Sequence, residues 1–291
     1  MDQFITGKTQ LAALFAEPAS HSISPSMHNL AFQLTDINAV YLAFEVGENT
    51  LKQAIEAVRS FHMLGVNLSM PNKVLALNYV DEISETAKLS GSINTIINNQ
   101  GKLLGDNTDG LGFLQSLKIR KISILQKKMT ILGIGGAAMA LIAQTALVGI
   151  KEIAIYNRPK KTEELTVIQQ KVKQIAKQTG CQITINNINN VKKLQQDLSE
   201  SLLLINATNV GMSPLENQTL IDSTLLPKHL IVYDLIYQPK ETRLLKEAKL
   251  NGNEAINGFD MLFYQGAAAF KKWTNQDMPV EKIRTLLGKN T

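Results

Sequence analysis

The chain has 291 residues, enough for one or two domains and for a hydrophobic core that needs no disulfide or metal. Its net charge of +5 is spread thinly, and aromatic residues make up only 5%, so a nucleic-acid-binding surface is not expected. Cys181 is the only cysteine, which excludes an internal disulfide, and no apolar run approaches the roughly 18 residues of a membrane span. With no signal peptide evident, we expect a cytoplasmic protein without membrane or nucleic-acid partners.

Short apolar runs alternate with a helical pattern in the first third of the chain. Residues 11–15 and 40–46 predict strands, and residues 50–61 place apolar side chains at helical spacing. Residues 66–70 predict a further strand, which Pro71 ends. This alternation is typical of βαβ units and predicts a mainly parallel sheet.

The middle of the chain repeats the alternation more regularly. A short apolar strand at residues 129–132 leads into a glycine-rich turn and an alanine-rich helix at residues 137–147. Further strands are predicted at residues 152–156, 182–185, 202–206 and 230–233, and further helices at residues 162–178 and, broken near 277–279, at 265–287. The succession predicts a Rossmann-like, doubly wound parallel sheet.

We therefore expect two α/β domains with a cleft between them. Residues 1–113 would form an N-terminal substrate domain, and residues 114–264 a C-terminal nucleotide-binding domain. The helices of residues 265–291 would pack back onto the first domain.

The glycine-rich turn fits the dinucleotide-binding fingerprint G-x-G-x-x-G/A. Gly133 permits the tight turn, Gly135 lets the backbone approach a pyrophosphate, and Ala138 permits close packing of helix on strand. Gly136 and Ala137 would open the helix and offer free N–H groups to the phosphates. The alternative is a tight strand–helix turn without a ligand.

The residues after the second strand of this domain bear on the choice of cofactor. An NAD site usually has an acid there for the ribose 2′-hydroxyl, whereas this chain has Asn157, Arg158 and then Lys160. Arg158 can stack on adenine and pair with a 2′-phosphate, and Lys160 adds a second positive charge. The sequence favours NADP over NAD, unless these basic residues are simply the solvated start of a helix.

Polar residues are concentrated in four segments of the first third, each beside an apolar run. The segments are residues 21–29, 67–73, 91–95 and 105–110. Open α/β sheets bind their ligands beyond the strand ends, so these segments are candidates for one site. Their hydroxyls, amides, carboxylates and lysine suit a small polyhydroxylated carboxylic acid.

At these residues the chain resembles the shikimate dehydrogenase family, which reduces 3-dehydroshikimate with NADPH. The shared motifs are His-Ser-x-Ser-Pro from His21, Asn-x-Ser-x-Pro-x-Lys from Asn67, Asn-Thr-Asp-Gly from Asn107 and Gly-x-Gly-Gly-Ala from Gly133. Further matches at residues 206–208, 234–242 and 257–265 extend the resemblance over nearly the whole chain.

Within the family, the sequences of two segments are similar to those of a quinate/shikimate dehydrogenase branch. Members of that branch accept both substrates and both nicotinamide cofactors. The segments are Ser69–Lys73 and Gly211–Asn217. NAD-accepting members of that branch carry an acid shortly after the Asn-Arg pair, whereas this chain has Lys160. NADP therefore stays the first choice and NAD the second.

The resemblance implies that Lys73 and Asp109 carry out proton transfer, with the carboxylate orienting the lysine. It also implies that Ser22 and Ser24 hold the substrate carboxylate, although Ser24 before Pro25 also fits an ordinary helix N-cap. The other implied substrate contacts are Ser69, where the family commonly has threonine, Asn94, Tyr237 and Gln265. Outside this resemblance, Asn94 would be a turn residue and Tyr237 a packing residue.

The implied wall beneath the nicotinamide contains Thr208, Leu235 and Gly258. Asp260, close to this wall, departs from the pattern of many relatives, and the sequence offers no account of it. His21 and His28 flank the serine loop, but neither has an acidic or cysteine partner at ligand spacing, so we expect no metal.

The leading hypothesis is an NADP-dependent shikimate dehydrogenase that acts in aromatic amino-acid biosynthesis, as a monomer or homodimer. The alternatives are a quinate/shikimate dehydrogenase that also uses NAD, and a regulatory relative that binds NADP without turnover. A dehydrogenase of a folate carbon unit with a similar two-domain plan is disfavoured by Ser22, Ser24 and residues 107–110.

Overall fold

A computed structural model describes residues 5–158 and 162–288 of the chain, and these form two compact units. The first unit contains the chain up to Gly112 and again from Phe263, and the second spans Phe113–Leu262. None of the helices in these described stretches is both long and apolar enough to cross a membrane.

The first unit is built on a six-stranded sheet. Its elements are β1 (Gln10–Ala16), α1 (Ser24–Leu34), β2 (Ala39–Glu45), α2 (Leu51–Ser60), β3 (Gly65–Leu68), β4 (Glu82–Ile83), α3 (Glu85–Ser90), β5 (Thr95–Asn99), β6 (Lys102–Asp106) and the start of α4 (Asp109–Ile119). The strand order is β2-β1-β3-β5-β6-β4. The predictions for β1, β2, α2 and β3 are confirmed to within two residues at each end.

This sheet contains an antiparallel strand that the sequence did not predict. β1 pairs in parallel with β2 and β3, and β4 with β6, but β5 runs antiparallel to both β3 and β6. The reason lies in the link between β5 and β6, where Gln100 and Gly101 have φ values of 55° and 94°. A two-residue turn with positive φ at both positions can join only antiparallel strands, because a parallel pair needs a long crossover.

The second unit has the predicted doubly wound sheet. Its elements are β7 (Lys128–Leu132), α5 (Gly136–Leu147), β8 (Glu152–Asn157), α6 (Thr162–Thr179), β9 (Gln182–Asn187), α7 (Val191–Glu200), β10 (Leu203–Asn206), β11 (Ile231–Asp234), α8 (Arg243–Leu250) and the short β12 (Ala255–Ile256). Three of these, α7, α8 and β12, were not predicted from the sequence. The strand order is β12-β11-β10-β7-β8-β9, with every pair parallel.

In this order the chain leaves β7 toward β8 and later returns to β10 on the other side of β7. The carboxyl ends of β7 and β10 therefore flank the switch point of the sheet, where such folds bind nucleotides. All five residues of β7 are buried, as a strand covered on both faces requires. The alanine-rich sequence of α5 lets this helix approach the sheet closely, and most of its residues are buried.

Two helices follow β12. α9 (Phe259–Thr274) begins in the second unit and continues into the first, and α10 (Val280–Gly288) lies in the first, so the predicted break near residues 277–279 is confirmed. Trp273 of α9 donates its indole N–H to the carbonyl of Ile96 at 3.0 Å. A Cβ atom on Gly65 would collide with this indole, so β3 needs glycine where α9 packs on the sheet.

A buried ionic cluster secures the start of β7. The Lys128 ammonium lies 2.8 Å from Asp197 and Glu152 and 2.6 Å from Glu200. Tyr156 donates its hydroxyl to the other oxygen of Asp197 at 2.6 Å. Burial alone would lower the pKa of Lys128, but the three carboxylates outweigh it and raise that pKa.

His28 is fully buried in the first unit, where α1 packs on the sheet and on α9. Its ring stacks on Tyr41 at 4.4 Å and lies 5.4 Å from the ring of Trp273. Burial disfavours the charged imidazolium and lowers the pKa of His28 to about 3. His28 is therefore a packing residue among aromatic rings.

We predict that Lys128→Met lowers the free energy of unfolding by about 1.5–3 kcal/mol, because it removes a charge-assisted hydrogen bond to buried Asp197, which keeps Lys193 as its other cationic partner. Urea unfolding followed by circular dichroism measures the loss. The matched control is Lys127→Met, since Lys127 is the preceding residue and is exposed. Equal unfolding midpoints for the two variants would show that the cluster does not stabilise the second unit.

We also predict that His28 makes the protein less stable as the pH falls below about 6.5. The unfolded chain takes up a proton at His28 near pH 6.5, whereas the folded chain resists it down to about pH 3. Between these values the free energy of unfolding should drop by up to about 1.4 kcal/mol per pH unit from this residue.

Urea unfolding at several pH values between 4 and 7 tests this prediction. His28→Phe, which keeps an aromatic ring against Tyr41, should show a shallower fall than the wild type. The control His229→Phe, at an exposed position, should keep the wild-type slope. Parallel curves for wild type and His28→Phe would contradict the prediction.

Candidate active site

The polar segments of the first unit follow or precede strand ends that lie on the same side of its sheet. Because β5 is antiparallel, its amino end lies beside the carboxyl ends of β3 and β6: Thr95 pairs with Asn67 on one side and with Asp106 on the other. The loops that leave β3 and β6 therefore lie next to Asn94, which precedes β5. This strand pairing brings residues that are far apart in the sequence into one polar cluster.

A lysine–carboxylate pair lies in this cluster. The Lys73 ammonium is 2.6 Å from Asp109 Oδ2, and the two side chains are 20% and 7% exposed. Lys73 is in the loop after β3 and is anchored by its carbonyl, which accepts the N–H of Ile93 at 2.8 Å. Asp109 is the first residue of α4, and its N–H is capped by Asn107 Oδ1 at 3.0 Å.

Asn94 holds the other oxygen of this carboxylate. Its amide nitrogen donates to Asp109 Oδ1 at 2.7 Å and to Thr108 Oγ1 at 3.0 Å, and lies 3.3 Å from Gln265 Oε1. Its amide oxygen accepts the backbone N–H of Thr108 at 2.7 Å, which fixes the orientation of the amide. The structure thus joins four of the predicted residues and adds Thr108, which the sequence did not single out.

Ser22 and Ser24 lie at the start of α1, and Ser69 lies in the loop after β3. Ser24 is buried, and its side chain hydrogen-bonds to the hydroxyl of Tyr41. The N-cap interpretation of Ser24 is wrong: Ile23 holds the N-cap position without a side-chain bond, and Ser24 is already helical. Ser22 Oγ instead accepts the N–H of Ser24 at 3.2 Å, because a serine hydroxyl can bond the backbone two residues further on.

Ser69 is partly buried in the loop after β3, where its N–H donates to the carbonyl of Phe15 at 3.1 Å. Among the described residues, neither Ser22 nor Ser69 hydrogen-bonds to Lys73 or Asp109. Their hydroxyls are therefore not used to build the lysine–carboxylate pair.

The turn after β7 is shaped to receive an anion. Gly133 has φ 98°, and a Cβ there would lie 2.7 Å from Thr208 Cγ2, so this position requires glycine. A Cβ at Gly135 would meet no protein atom within 4 Å. Gly135 is the N-cap of α5 and has no side chain to bond the N–H groups of Gly136 and Ala137. Free N–H groups facing open space fit a phosphate.

The ends of β10 and β11 are tied together beside this turn. Asn206 donates to Asp234 Oδ1 at 3.0 Å, and the oxygen of Asn206 accepts the Thr208 hydroxyl at 2.7 Å. Asp234 also accepts the Thr242 hydroxyl at 2.7 Å and the Ile236 N–H at 3.0 Å. Burial is the main cause that raises the pKa of Asp234, to about 6. No pattern in the sequence indicated this role of Asp234.

Leu235 and Gly258 follow β11 and β12. The Gly258 N–H donates to the carbonyl of Ile236 at 3.0 Å, and a Cβ at Gly258 would collide with the carbonyl of Leu235. Glycine is required here because two stretches of backbone touch. Tyr237, in the same loop, is partly buried, which raises the pKa of its hydroxyl.

Asp260, which the sequence left unexplained, has a structural partner. It is buried in the first turn of α9, and its carboxylate accepts from the Arg120 guanidinium at 2.9 Å. The ion pair connects the start of α9 to the residue that follows α4, within the second unit.

The basic residues proposed to choose the cofactor lie after β8. Asn157 ends this strand and Arg158 is exposed beyond it. Lys160 lies outside the described residues. Within the described part of the chain, no three His, Cys, Asp or Glu side chains lie together as a metal site.

Comparison with known proteins gives a consistent result over the whole chain. The family model of the shikimate dehydrogenase substrate-binding domain matches residues 14–96, and that of the shikimate 5′-dehydrogenase C-terminal domain matches residues 258–287. The chain is 43% identical over 284 residues to shikimate dehydrogenase (NADP(+)) of Listeria monocytogenes serotype 4b, and the match covers 97% of each chain.

Solved structures show the same similarity in three dimensions. A crystal structure of shikimate 5-dehydrogenase from Listeria monocytogenes, in complex with shikimate and NAD, has a TM-score of 0.92 and 42% identity, with 99% of each chain covered. The shikimate 5-dehydrogenase of Thermus thermophilus, in complex with NADP(H) and shikimate, has a TM-score of 0.82 and 29% identity over 97% of this chain and 100% of that chain.

Proposed function

The chain belongs to the shikimate dehydrogenase family, and we propose that it catalyses the reversible, NADP-dependent reduction of 3-dehydroshikimate to shikimate. The observation that carries this proposal is the Lys73–Asp109 pair, with Asn94 on the second carboxylate oxygen. The pair lies at the same strand ends of the first sheet as the loops that carry the serines. A ligand bound there would contact both a proton donor and hydroxyl groups of the first unit.

In the reduction, the Lys73 ammonium donates a proton to the ketone oxygen of the ring as the carbon of that ketone receives a hydride. In the oxidation, the amine of Lys73 takes the same proton from the hydroxyl group. Asp109 keeps Nζ at a fixed place, since it holds the ammonium at 2.6 Å and is itself held by Asn94 and by the N-terminus of α4. A positioned proton donor of this kind contributes about 10²–10⁴-fold to a rate.

The remaining polar groups would bind the rest of the substrate. Ser22 and Ser24 would hold its carboxylate at the start of α1, and Ser69 and Gln265 would bind ring hydroxyls. Gln265 is supported by its position 3.3 Å from the Asn94 amide, since both groups would then face the same part of the ring. Tyr237 is proposed as a further substrate contact.

The second unit is proposed to bind the dinucleotide. Gly133, Gly135, Gly136 and Ala137 would hold the pyrophosphate at the N-terminus of α5, where the open space at Gly135 leaves room for it. Thr208, Leu235 and Gly258 would line the nicotinamide side. When it is bound, the nicotinamide supplies the hydride for reduction and accepts it in oxidation.

Asn157 and Arg158 are proposed to bind the adenosine end, with Lys160 beside them. Arg158 is exposed and no described acidic side chain is paired with it, so its guanidinium can stack on adenine and pair with a 2′-phosphate. The name of the curated Listeria relative specifies NADP, while the crystal structure of a Listeria shikimate 5-dehydrogenase contains NAD, so NAD is the second cofactor to test.

A place in aromatic amino-acid biosynthesis and a cytoplasmic location follow from the proposed activity and stay predictions. The oligomeric state, monomer or homodimer, is likewise a prediction.

The activity is tested by initial rates at 340 nm for shikimate or quinate combined with NADP or NAD. We expect the largest kcat/KM for shikimate with NADP. A larger value for quinate or NAD would assign the chain to the quinate/shikimate branch. NADP binding without turnover in all four assays would support a regulatory protein instead and overturn the proposal.

Lys73→Met and Asp109→Asn test the proton-transfer pair. Both variants should keep the circular dichroism spectrum and NADP binding of the wild type, while Lys73→Met should lower kcat by about 10²–10⁴-fold, since the proton donor is lost. The control is Lys88→Met, because Lys88 forms an exposed ion pair with Glu85 on α3. Wild-type turnover in either site variant would reject the assigned pair.

Arg158→Gln tests the choice of cofactor. Removal of the guanidinium should raise KM for NADP by roughly tenfold, the loss of about 1.4 kcal/mol expected for one charge-assisted bond to phosphate. KM for NAD should change less than threefold, because NAD has no 2′-phosphate. An equal rise for both cofactors would assign Arg158 to adenine stacking alone.

A further inference from the structure

We propose that Lys272 of α9 is a positioning residue for the proton-transfer pair and acts through Asp106 and Asn107. The inference rests on the proposed function, because it concerns the placement of Asp109. Lys272 is far from the pair in sequence and belongs to none of the motifs that suggested the site.

The ion pair between Lys272 and Asp106 is the first link. The Lys272 ammonium lies 2.7 Å from Asp106 Oδ2, with 35% of the lysine side chain and only 8% of the aspartate side chain exposed. Asp106 is the last residue of β6, so the lysine holds the point at which the strand ends. Lys272 is the only described cation paired with this carboxylate.

The other oxygen of Asp106 fixes the first turn of the following loop. Asp106 Oδ1 accepts the N–H of Asn107 at 2.7 Å and also the hydroxyl of Ser84. Burial alone would raise the pKa of Asp106, but hydrogen bonds from Lys272 and Ser84 outweigh it and lower that pKa. The carboxylate is therefore charged, and each of its oxygens has a described partner.

Asn107, whose N–H is held by Asp106, is in turn hydrogen-bonded to the backbone of Asp109. Its amide nitrogen donates to Ser92 Oγ at 2.9 Å, and its amide oxygen accepts the N–H of Asp109 at 3.0 Å. Both ends of the Asn107 amide are thereby fixed. The path from the ammonium of Lys272 to the backbone of Asp109 thus runs through direct contacts of two buried side chains, those of Asp106 and Asn107.

Asp106 also positions Asn94, the second partner of Asp109. The carbonyl of Asp106 accepts the N–H of Asn94 at 3.0 Å. A shift at the end of β6 would therefore move Asp109 through Asn107 and would move the amide that bonds its Oδ1. Both supports of the carboxylate depend on the residue that Lys272 holds.

The neighbouring lysine of α9 provides a natural control. Lys271 pairs at 2.6 Å with Asp277, which lies beyond the end of α9, and the two side chains are 56% and 83% exposed. Both lysines thus make one ion pair from adjacent positions of one helix. Only the Lys272 pair reaches the loop that carries Asp109.

The test compares Lys272→Met, Lys272→Arg and Lys271→Met with the wild type in shikimate oxidation by NADP. For Lys272→Met we expect kcat to fall about tenfold, less than the 10²–10⁴-fold contribution of the proton donor itself. KM for shikimate should rise by a smaller factor than kcat falls, because the serines of the site have no described contact with Asp106, whereas Asn94 does. Lys272→Arg should recover most of kcat, and Lys271→Met should match the wild type.

Asp106→Asn, alone and combined with Lys272→Met, completes a double-mutant cycle. The two changes should not add in kcat, because either one breaks the same link. Thermal unfolding of every variant identifies any that do not fold, and Lys272→Gln replaces Lys272→Met if the latter does not.

Three results would overturn the inference while leaving the proposed function intact. They are a kcat for Lys272→Met equal to that of Lys271→Met, a loss that appears only in KM, and additive effects of the Asp106 and Lys272 substitutions. Absence of shikimate oxidation in the wild type would instead reject the proposed function.

Discussion

The antiparallel placement of β5 between β3 and β6 is the constraint on which the candidate site depends. If β5 were parallel to its neighbours, Asn94 would lie at the opposite edge of the sheet from Lys73 and Asp109. The two-residue turn after β5 makes this strand antiparallel to β6, and β5 also pairs antiparallel with β3, so its amino end lies beside the carboxyl ends of both. The amide of Asn94 then meets the Asp109 carboxylate, which is what fixes the lysine.

Buried carboxylates at strand ends have a similar role in both units. Asp106 ends β6 and accepts the N–H of the next residue, while Asp234 ends β11 and accepts the N–H two residues further on. Each also accepts a hydroxyl from another segment of its own unit. Burying a carboxylate costs free energy unless its oxygens accept hydrogen bonds. Because the oxygens of Asp106 and Asp234 do accept them, each of these residues fixes the backbone around it. The loops that follow them carry the candidate site residues.

The two ends of the second sheet's central strand are secured in different ways. At the amino end of β7, Lys128 is held by three carboxylates. At the carboxyl end, Gly133 turns the chain sharply, and the space beside Gly135 is open. The charged cluster and the turn proposed to bind phosphate thus lie at opposite ends of one strand.

Short segments of the sequence were enough to predict β1, β2, β3, α2, most strands of the second unit, its doubly wound sheet and the glycine turn, because hydrophobic spacing and the backbone freedom of glycine are local properties. Motif resemblance also supplied Lys73, Asp109 and Asn94, which the structure joins by hydrogen bonds. The direction of β5, the exclusion of Ser24 from the N-cap, and the partners of Asp260 and Asp106 became evident only in the folded chain. Asp260 and Asp106 each form an ion pair with a residue that is remote in sequence, Arg120 and Lys272 respectively. No local sequence pattern encodes such contacts.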